Sequence, residues 1–310
     1  MSTMTSTHHH KEAVSLHLGN SPIKIKGILA ATDFSKQATL ALKIAARLAK
    51  QLHSRFYILH AIMPQVYAPG AGKLAPLLRE VDTKQAQERL HRHSVKIPEV
   101  RTTKHEEFVL NGPPTGAMLD LVENKGIDLI VVGSHGRGGL KKLVLGSEAE
   151  AAIRHLRCPV LVVGPRCARL RVPLKSLVFA TDLPTGSLRA AQYGMSIAQA
   201  TGSIATLVHV LPTRENTEDP LLETEKEGAI KELGHLVPND TELRKHVHFE
   251  TAVGAPAEQI VQIADHVRAG LIIMGVREHR ILADHAPWAT LSEVIRSAHC
   301  PVLAVRPHLA

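Results

Sequence analysis

The chain has 310 residues, 44% hydrophobic and 21% charged, a composition that excludes a disordered or fibrous protein and leaves room for two domains with full cores. Its formal net charge of +8 comes from 37 basic and 29 acidic residues without a run of five like charges, so no nucleic-acid tract is expected. Aromatic residues, at 3%, are too few for a platform that stacks single strands.

Met1 to Pro22 is polar and rich in Ser, Thr and His, with no apolar stretch of the secretory kind, and reads as a flexible arm. KGILAAT then reads as a buried strand, and ATLALKIAARLAKQL carries apolar residues at helical spacing behind Ser35, a candidate N-cap. FYILHAI is a second strand, followed by a Pro- and Gly-containing loop and a helix over about Leu77 to His93. A third strand is predicted near Glu107 to Leu110 and a helix at Thr115 to Lys125. A strand at Asp128 to Val132, a helix at Ser147 to Leu156 and a strand at Val160 to Val163 complete the unit.

The same unit is then written again. ILAATDFS at Ile28 matches LVFATDLP at Leu177, and YILHAI at Tyr57 matches TLVHVL at Thr206, both offset by 149 positions. DLIVVG at Asp128 matches GLIIMG at Gly270, and RCPVLVV at Arg157 matches HCPVLAV at His299, offset by 142. Domains are therefore expected at 23–166 and 173–308. Alternating strands and helices give the α/β class: two tandem doubly wound domains, each a five-stranded parallel sheet with helices on both faces. Ligands of such sheets sit beyond the carboxyl ends of the strands, where the winding reverses. No apolar run is long enough to span a bilayer, so no membrane partner is expected. Cys158, Cys167 and Cys300 show no metal-type spacing and fit a reducing, cytoplasmic setting.

Two segments occupy strand carboxyl ends: ATDFS after the first strand and GSHGRGGLKKLVLGSE after the fourth. In the latter, Gly133 is followed by two residues and Gly136, then nine residues, Gly146 and Ser147. Glycines let several backbone N–H groups approach an anion, and a helix opening at Gly146-Ser147 adds its own N–H groups and dipole. Ser147 and Glu150 also have the spacing of a capping box, which would need no ligand. The segment is not a Walker A loop.

On TDFS at Thr32, LHA at Leu59, VVGSHGRGGLKKLVLGS at Val131 and CPVLVV at Cys158, the sequence resembles the universal stress protein family in its tandem two-domain form, over Ile23 to Pro307. The resemblance implies a fold of the adenine nucleotide alpha hydrolase-like (HUP) kind and a site for ATP or another adenine nucleotide, with or without Mg. It places Ala31, Thr32 and Asp33 by the adenosine and Ala61 and Val132 along the adenine pocket. Gly133, Gly136, Gly146 and Ser147 would face the ribose and phosphates, with His135, Arg137 and Glu148 close by. It implies a stress-response regulatory or protective role, and pairing of the two last strands within one chain; a homodimer stays open.

The second copy departs from the pattern. Glu278, Trp288 and Ala289 stand where Gly136, Gly146 and Ser147 stood, while Gly275 and Asp182 persist. Thr290 and Glu293 offer a replacement helix cap. This domain is expected to keep its fold and lose ordinary ATP binding. Two rival readings are a weak ATPase, for which no base or metal ligand beyond Asp33 can be assigned, and a ligand or metal carrier using His279, Asp284, His285 and His299. No catalytic residue is assigned.

Overall fold

The computed structural model describes residues 22–63, 75–134, 145–167, 174–183, 188–213, 220–239, 241–276 and 286–307. In the first repeat the order is β1 (Gly27–Ala31), α1 (Lys36–Leu52), β2 (Arg55–Ile62), α2 (Ala75–Val95), α3 (Pro98–Arg101), β3 (His105–Asn111), α4 (Pro114–Lys125), β4 (Leu129–Gly133), α5 (Ser147–His155) and β5 (Val160–Val163). The second repeats it with β6 (Ser176–Ala180), α6 (Leu188–Thr201), β7 (Ile204–Leu211), α7 (Pro220–His235), α8 (Thr241–Arg244), β8 (Val247–Val253), α9 (Pro256–His266), β9 (Leu271–Gly275), α10 (Ala286–Ser297) and β10 (Val302–Val305).

The described strands form one ten-stranded sheet in the order β3-β2-β1-β4-β5-β10-β9-β6-β7-β8. Each half is parallel, as the buried, non-alternating strand sequences require. The halves meet where β5 and β10 pair antiparallel, with Leu161 opposite Leu303. That junction gives each short apolar strand a partner and leaves β3 and β8 as the sheet's outer strands. Within the first half the chain runs from β1 outward to β2 and β3, then crosses to β4 and β5, so winding reverses between β1 and β4. The second half reverses between β6 and β9.

Helix α1 shows how the sequence builds a layer. Ser35 caps it by accepting from Ala38 N (3.2 Å), and Ala38, Ala41, Leu42, Ala45 and Ala49 turn one face into the core. The helix stops at His53, whose φ of 55° is left-handed. Each sheet face carries a hydrophobic core that runs through both repeats: Leu42, Phe56, Leu90, Phe179, Leu207 and Leu233 on one, Met118, Ile130, Ile153, Ile260, Ile272 and Ile295 on the other. The third strand is longer than expected, because His105, Glu106 and Asn111 also pair with β2 in the same ladder.

Polar contacts stitch the repeats together beside the central pair of strands. Arg189 donates to Arg157 O (3.0 Å), Arg306 donates to Arg154 O, and Leu174 N donates to Gln51 Oε1 (3.3 Å). Gly164, just after β5, passes so close to α10 that a Cβ there would stand 2.0 Å from Ile295 O. Among the described residues, no helix is long and apolar enough to cross a membrane.

Candidate functional site

Where β1 ends, the backbone makes a tight turn through Thr32, Asp33, Phe34 and Ser35. Thr32 Oγ1 accepts from Phe34 N (3.0 Å) and Asp33 Oδ1 accepts from Ser35 N (2.9 Å). These bonds hold Phe34 at φ 66°, a conformation that costs a side-chain-bearing residue free energy and persists where its surroundings enforce it. His60 fixes the turn from β2, its Nδ1 donating to Thr32 O (2.8 Å), which assigns this histidine a structural hydrogen bond. Over the Phe34 ring lie the Arg89 guanidinium (4.3 Å), the His60 ring (4.5 Å) and the His93 ring (5.2 Å). The Phe34 surroundings were not visible in the sequence, because α2 reaches the turn only through the tertiary fold.

Gly133 closes β4 against the first turn of α1; a Cβ would stand 3.0 Å from Ala38 N. Its glycine is required by helix packing, whatever else lies near. Ser134 follows, fully buried, donating to Val163 O (2.9 Å) and accepting from Gly146 N (2.8 Å). The last bond brings both ends of segment 135–144 together. His135, Gly136 and Arg137 lie in that segment, outside the described residues.

Helix α5 opens differently from the expected capping box. Gly146 is its N-cap, in extended conformation and without a side-chain cap, so Ser147 is already the first helical residue. Glu150 does not reach back either, since its carboxylate pairs with Arg154 (2.8 Å) one turn on. The Ser147 hydroxyl therefore has no capping role at this helix.

These pieces converge on one cleft of about 390 Å³ at the carboxyl ends of β1 and β4. Ala31, Thr32, Asp33, Ala61, Val132, Gly133, Gly146, Ser147 and Glu148 all line it. Sequence reasoning did not find Ala38, Pro114, Met118, Ser134 and Ala149, which also line it. The first turn of α5 presents N–H groups that lack intrahelical partners and favour an anion. Of the two acidic residues in that turn, Glu148 lines the cleft and would disfavour an anion, and Thr115 Oγ1 donates to it (3.2 Å) from α4.

A sequence model of the universal stress protein family matches residues 24–164 and again residues 173–306. The chain belongs to the universal stress protein family. It is 34% identical over 140 residues to universal stress protein MJ0531 of Methanocaldococcus jannaschii, which covers 44% of this chain and 81% of that protein. A universal stress protein of Mycolicibacterium smegmatis aligns over 291 residues at 22% identity, 91% of this chain and 97% of its own. The crystal structure of a universal stress protein from Archaeoglobus fulgidus has the same fold throughout, with a TM-score of 0.65 at 21% identity over 92% of this chain and 99% of that one.

The second universal stress protein unit repeats the turn and alters the cleft. Thr181 Oγ1 accepts from Leu183 N (3.0 Å), Leu183 has φ 69°, and His209 Nδ1 donates to Thr181 O (2.9 Å). The cleft beside it measures about 170 Å³ and is lined by Asp182, Val210, Met274, Gly275 and Thr290 among others. Thr290 is not the expected cap: α10 begins at Ala286, with Pro287 in its first turn, where the missing N–H costs nothing. Glu293 instead pairs with Arg296 and accepts from Ser297 Oγ (3.2 Å). Glu278 and the Trp288 side chain, on which the loss of ATP binding was argued, lie outside the described residues, as do His279, Asp284 and His285. His299 contacts Asp265 (3.1 Å), and among the described residues no group of three or more metal-ligating side chains is assembled. Cys158, Cys167 and Cys300 are buried, and burial pushes the Cys158 thiol up to about 12, which keeps it protonated and unreactive.

Proposed function

We propose that the first repeat binds ATP or a related adenine nucleotide, one per chain, and that the protein acts as a nucleotide-responsive regulatory or protective protein of the stress response. The observation that carries this reading is the convergence of Asp33 and Ala61, near one end of the repeat, with Val132, Gly146 and Ser147, near the other, on one cleft of about 390 Å³. That volume falls in the range of small-molecule sites. Small Ala31 and Ala61 leave room for a flat base, and Asp33 accepts from a hydroxyl or amino group. The α5 N-terminus and Ser147 suit phosphates. Gly136, His135 and Arg137 complete the phosphate side in this reading. Asp33, Ser147 and Glu148, which all line the cleft, would offer oxygen donors to a Mg ion carried by those phosphates. The second cleft, less than half the size, takes no such nucleotide. Three buried cysteines without a disulfide accord with a cytoplasmic location.

Calorimetry of the purified chain with ATP, AMP and cyclic AMP tests the proposal. One site per chain is expected. Gly146→Trp should remove binding, and Asp33→Ala should weaken it about thirtyfold, the loss of ~2 kcal/mol expected for a hydrogen bond to a charged group. Wild-type protein that binds none of the three up to millimolar concentration would refute it.

A further inference from the structure

A larger cleft, of about 580 Å³, lies away from both strand-end sites, where the approach to β1 and the C-terminal end of α1 meet the last turn of α6. Residues of both repeats line it. Its floor is apolar, with Ile25, Leu52 and Ile197 among the contributors. Its charged lining is of one sign: Lys24, Lys26 and Arg55, joined by His53, are all exposed, and none of the described residues lining the cleft is acidic.

The walls are fixed by backbone hydrogen bonds. Ile23 N donates to Ser196 Oγ across the repeats (2.8 Å), Arg55 N donates to Lys26 O (2.8 Å), and Lys26 N and Gly27 N both donate to Asp128 Oδ2 (2.6 and 2.9 Å). The Asp128 carboxylate is thereby held on backbone N–H groups at the start of β1. Lysine side chains standing over an apolar floor keep their charge in water, and an incoming anion would gain both the charge and the floor.

We propose that this cleft is a second ligand site, for a small organic anion with an extended apolar body. A carboxylate or phosphate group would meet Lys24, Lys26 and Arg55, and its alkyl or aryl part would cover Ile25, Leu52 and Ile197. The site is independent of the nucleotide reading. Because both repeats contribute, its ligand tightens their junction and raises stability by mass action.

The test titrates the full chain with dodecanoate, dodecyl phosphate and dodecyltrimethylammonium, each below micellar concentration, in a calorimeter. Both anions should bind once per chain, the tighter of the two naming the headgroup, and the cation at least about tenfold more weakly. Lys24→Glu with Lys26→Glu, at exposed positions that leave the fold intact, should cost the anions about tenfold or more. Ala200→Trp, also exposed, should fill the cleft and abolish binding of both. Equal binding of the cation, or anion binding that survives both variants unchanged, would overturn the proposal. So would adsorption of the chain to anionic vesicles that Ala200→Trp leaves unaltered, which would assign the cations to a membrane surface instead.

Discussion

At the end of β2 the first repeat has Ala61 opposite Leu110, and the second has Val210 opposite Ala252. On the far side of β1, Val132 of β4 corresponds to Met274 of β9, and the cleft shrinks from about 390 to about 170 Å³. The turn that carries the aspartate is the same in both, down to the threonine hydroxyl, the left-handed residue and the histidine behind it. A duplicated fold can therefore keep its turn, which the backbone needs, while larger side chains at the sheet end accompany a narrower cleft. Glycine loss in the loop was the difference the sequence advertised; bulk at the strand ends is the one the structure supplies.

The comparison breaks most sharply at the junction. Gly164 and its counterpart Arg306 follow β5 and β10, yet one is pressed against Ile295 O and the other donates to Arg154 O. Gly164→Ala should cost ~3 kcal/mol in urea unfolding, since the neighbouring atom is backbone and cannot swing away. Arg306→Ala should cost ~1 kcal/mol, the worth of a partly exposed hydrogen bond. Equal costs would mean that the junction is symmetric in energy despite its geometry.

The clefts themselves can be exchanged. Ala61→Val with Val132→Met gives the first repeat the second's side chains and should weaken ATP about thirtyfold, ~2 kcal/mol of overpacking, with little change in unfolding. If affinity is unchanged, the strand-end side chains do not set the difference. A smaller effect is expected of Phe34→Leu, which copies Leu183 and removes the contacts with Arg89, His60 and His93. About 1 kcal/mol of stability should go, read from the denaturant midpoint.

The smallest effect is a pH dependence. Burial, then the charges of Arg89 and Lys96, holds the His93 pKa below its ordinary value of 6.5. The folded state therefore binds fewer protons than the unfolded chain, so this contribution is full above pH 6.5 and is lost as pH falls toward the lowered pKa. His93→Gln should flatten that part of a melting curve measured from pH 7 to 5; an unchanged profile would remove His93 from the account.

How much could be read in advance follows from where information sits along the chain. Asp33 and Ala61 were legible because each closes or follows an apolar run that recurs in the second repeat, and Gly146 because it belongs to the glycine-spaced segment after the fourth strand. The capping roles of Ser147 and Thr290 were misread because S/T-x-x-E spacing says nothing about which residue first turns helical; Gly146 and Ala286 decided that. Met118 stayed hidden since a helical apolar residue reads as core until α4 is laid beside β1. The basic cleft had no signal at all. It draws on residues 22–26, 52–55 and 196–200, which share no period and meet through the packing of α1 near α6.

The antiparallel meeting of β5 and β10 gives the molecule a polarity. Every strand of one half points opposite to every strand of the other, so the carboxyl ends, with their clefts, lie on opposite margins of a single sheet. One margin bears the roomy cleft and the other the narrow one. A partner that docks over the roomy cleft therefore addresses one end of the chain and leaves the other uncovered. Copies that join like ends close as a pair, whereas copies that join unlike ends close only as a ring and otherwise extend as a file.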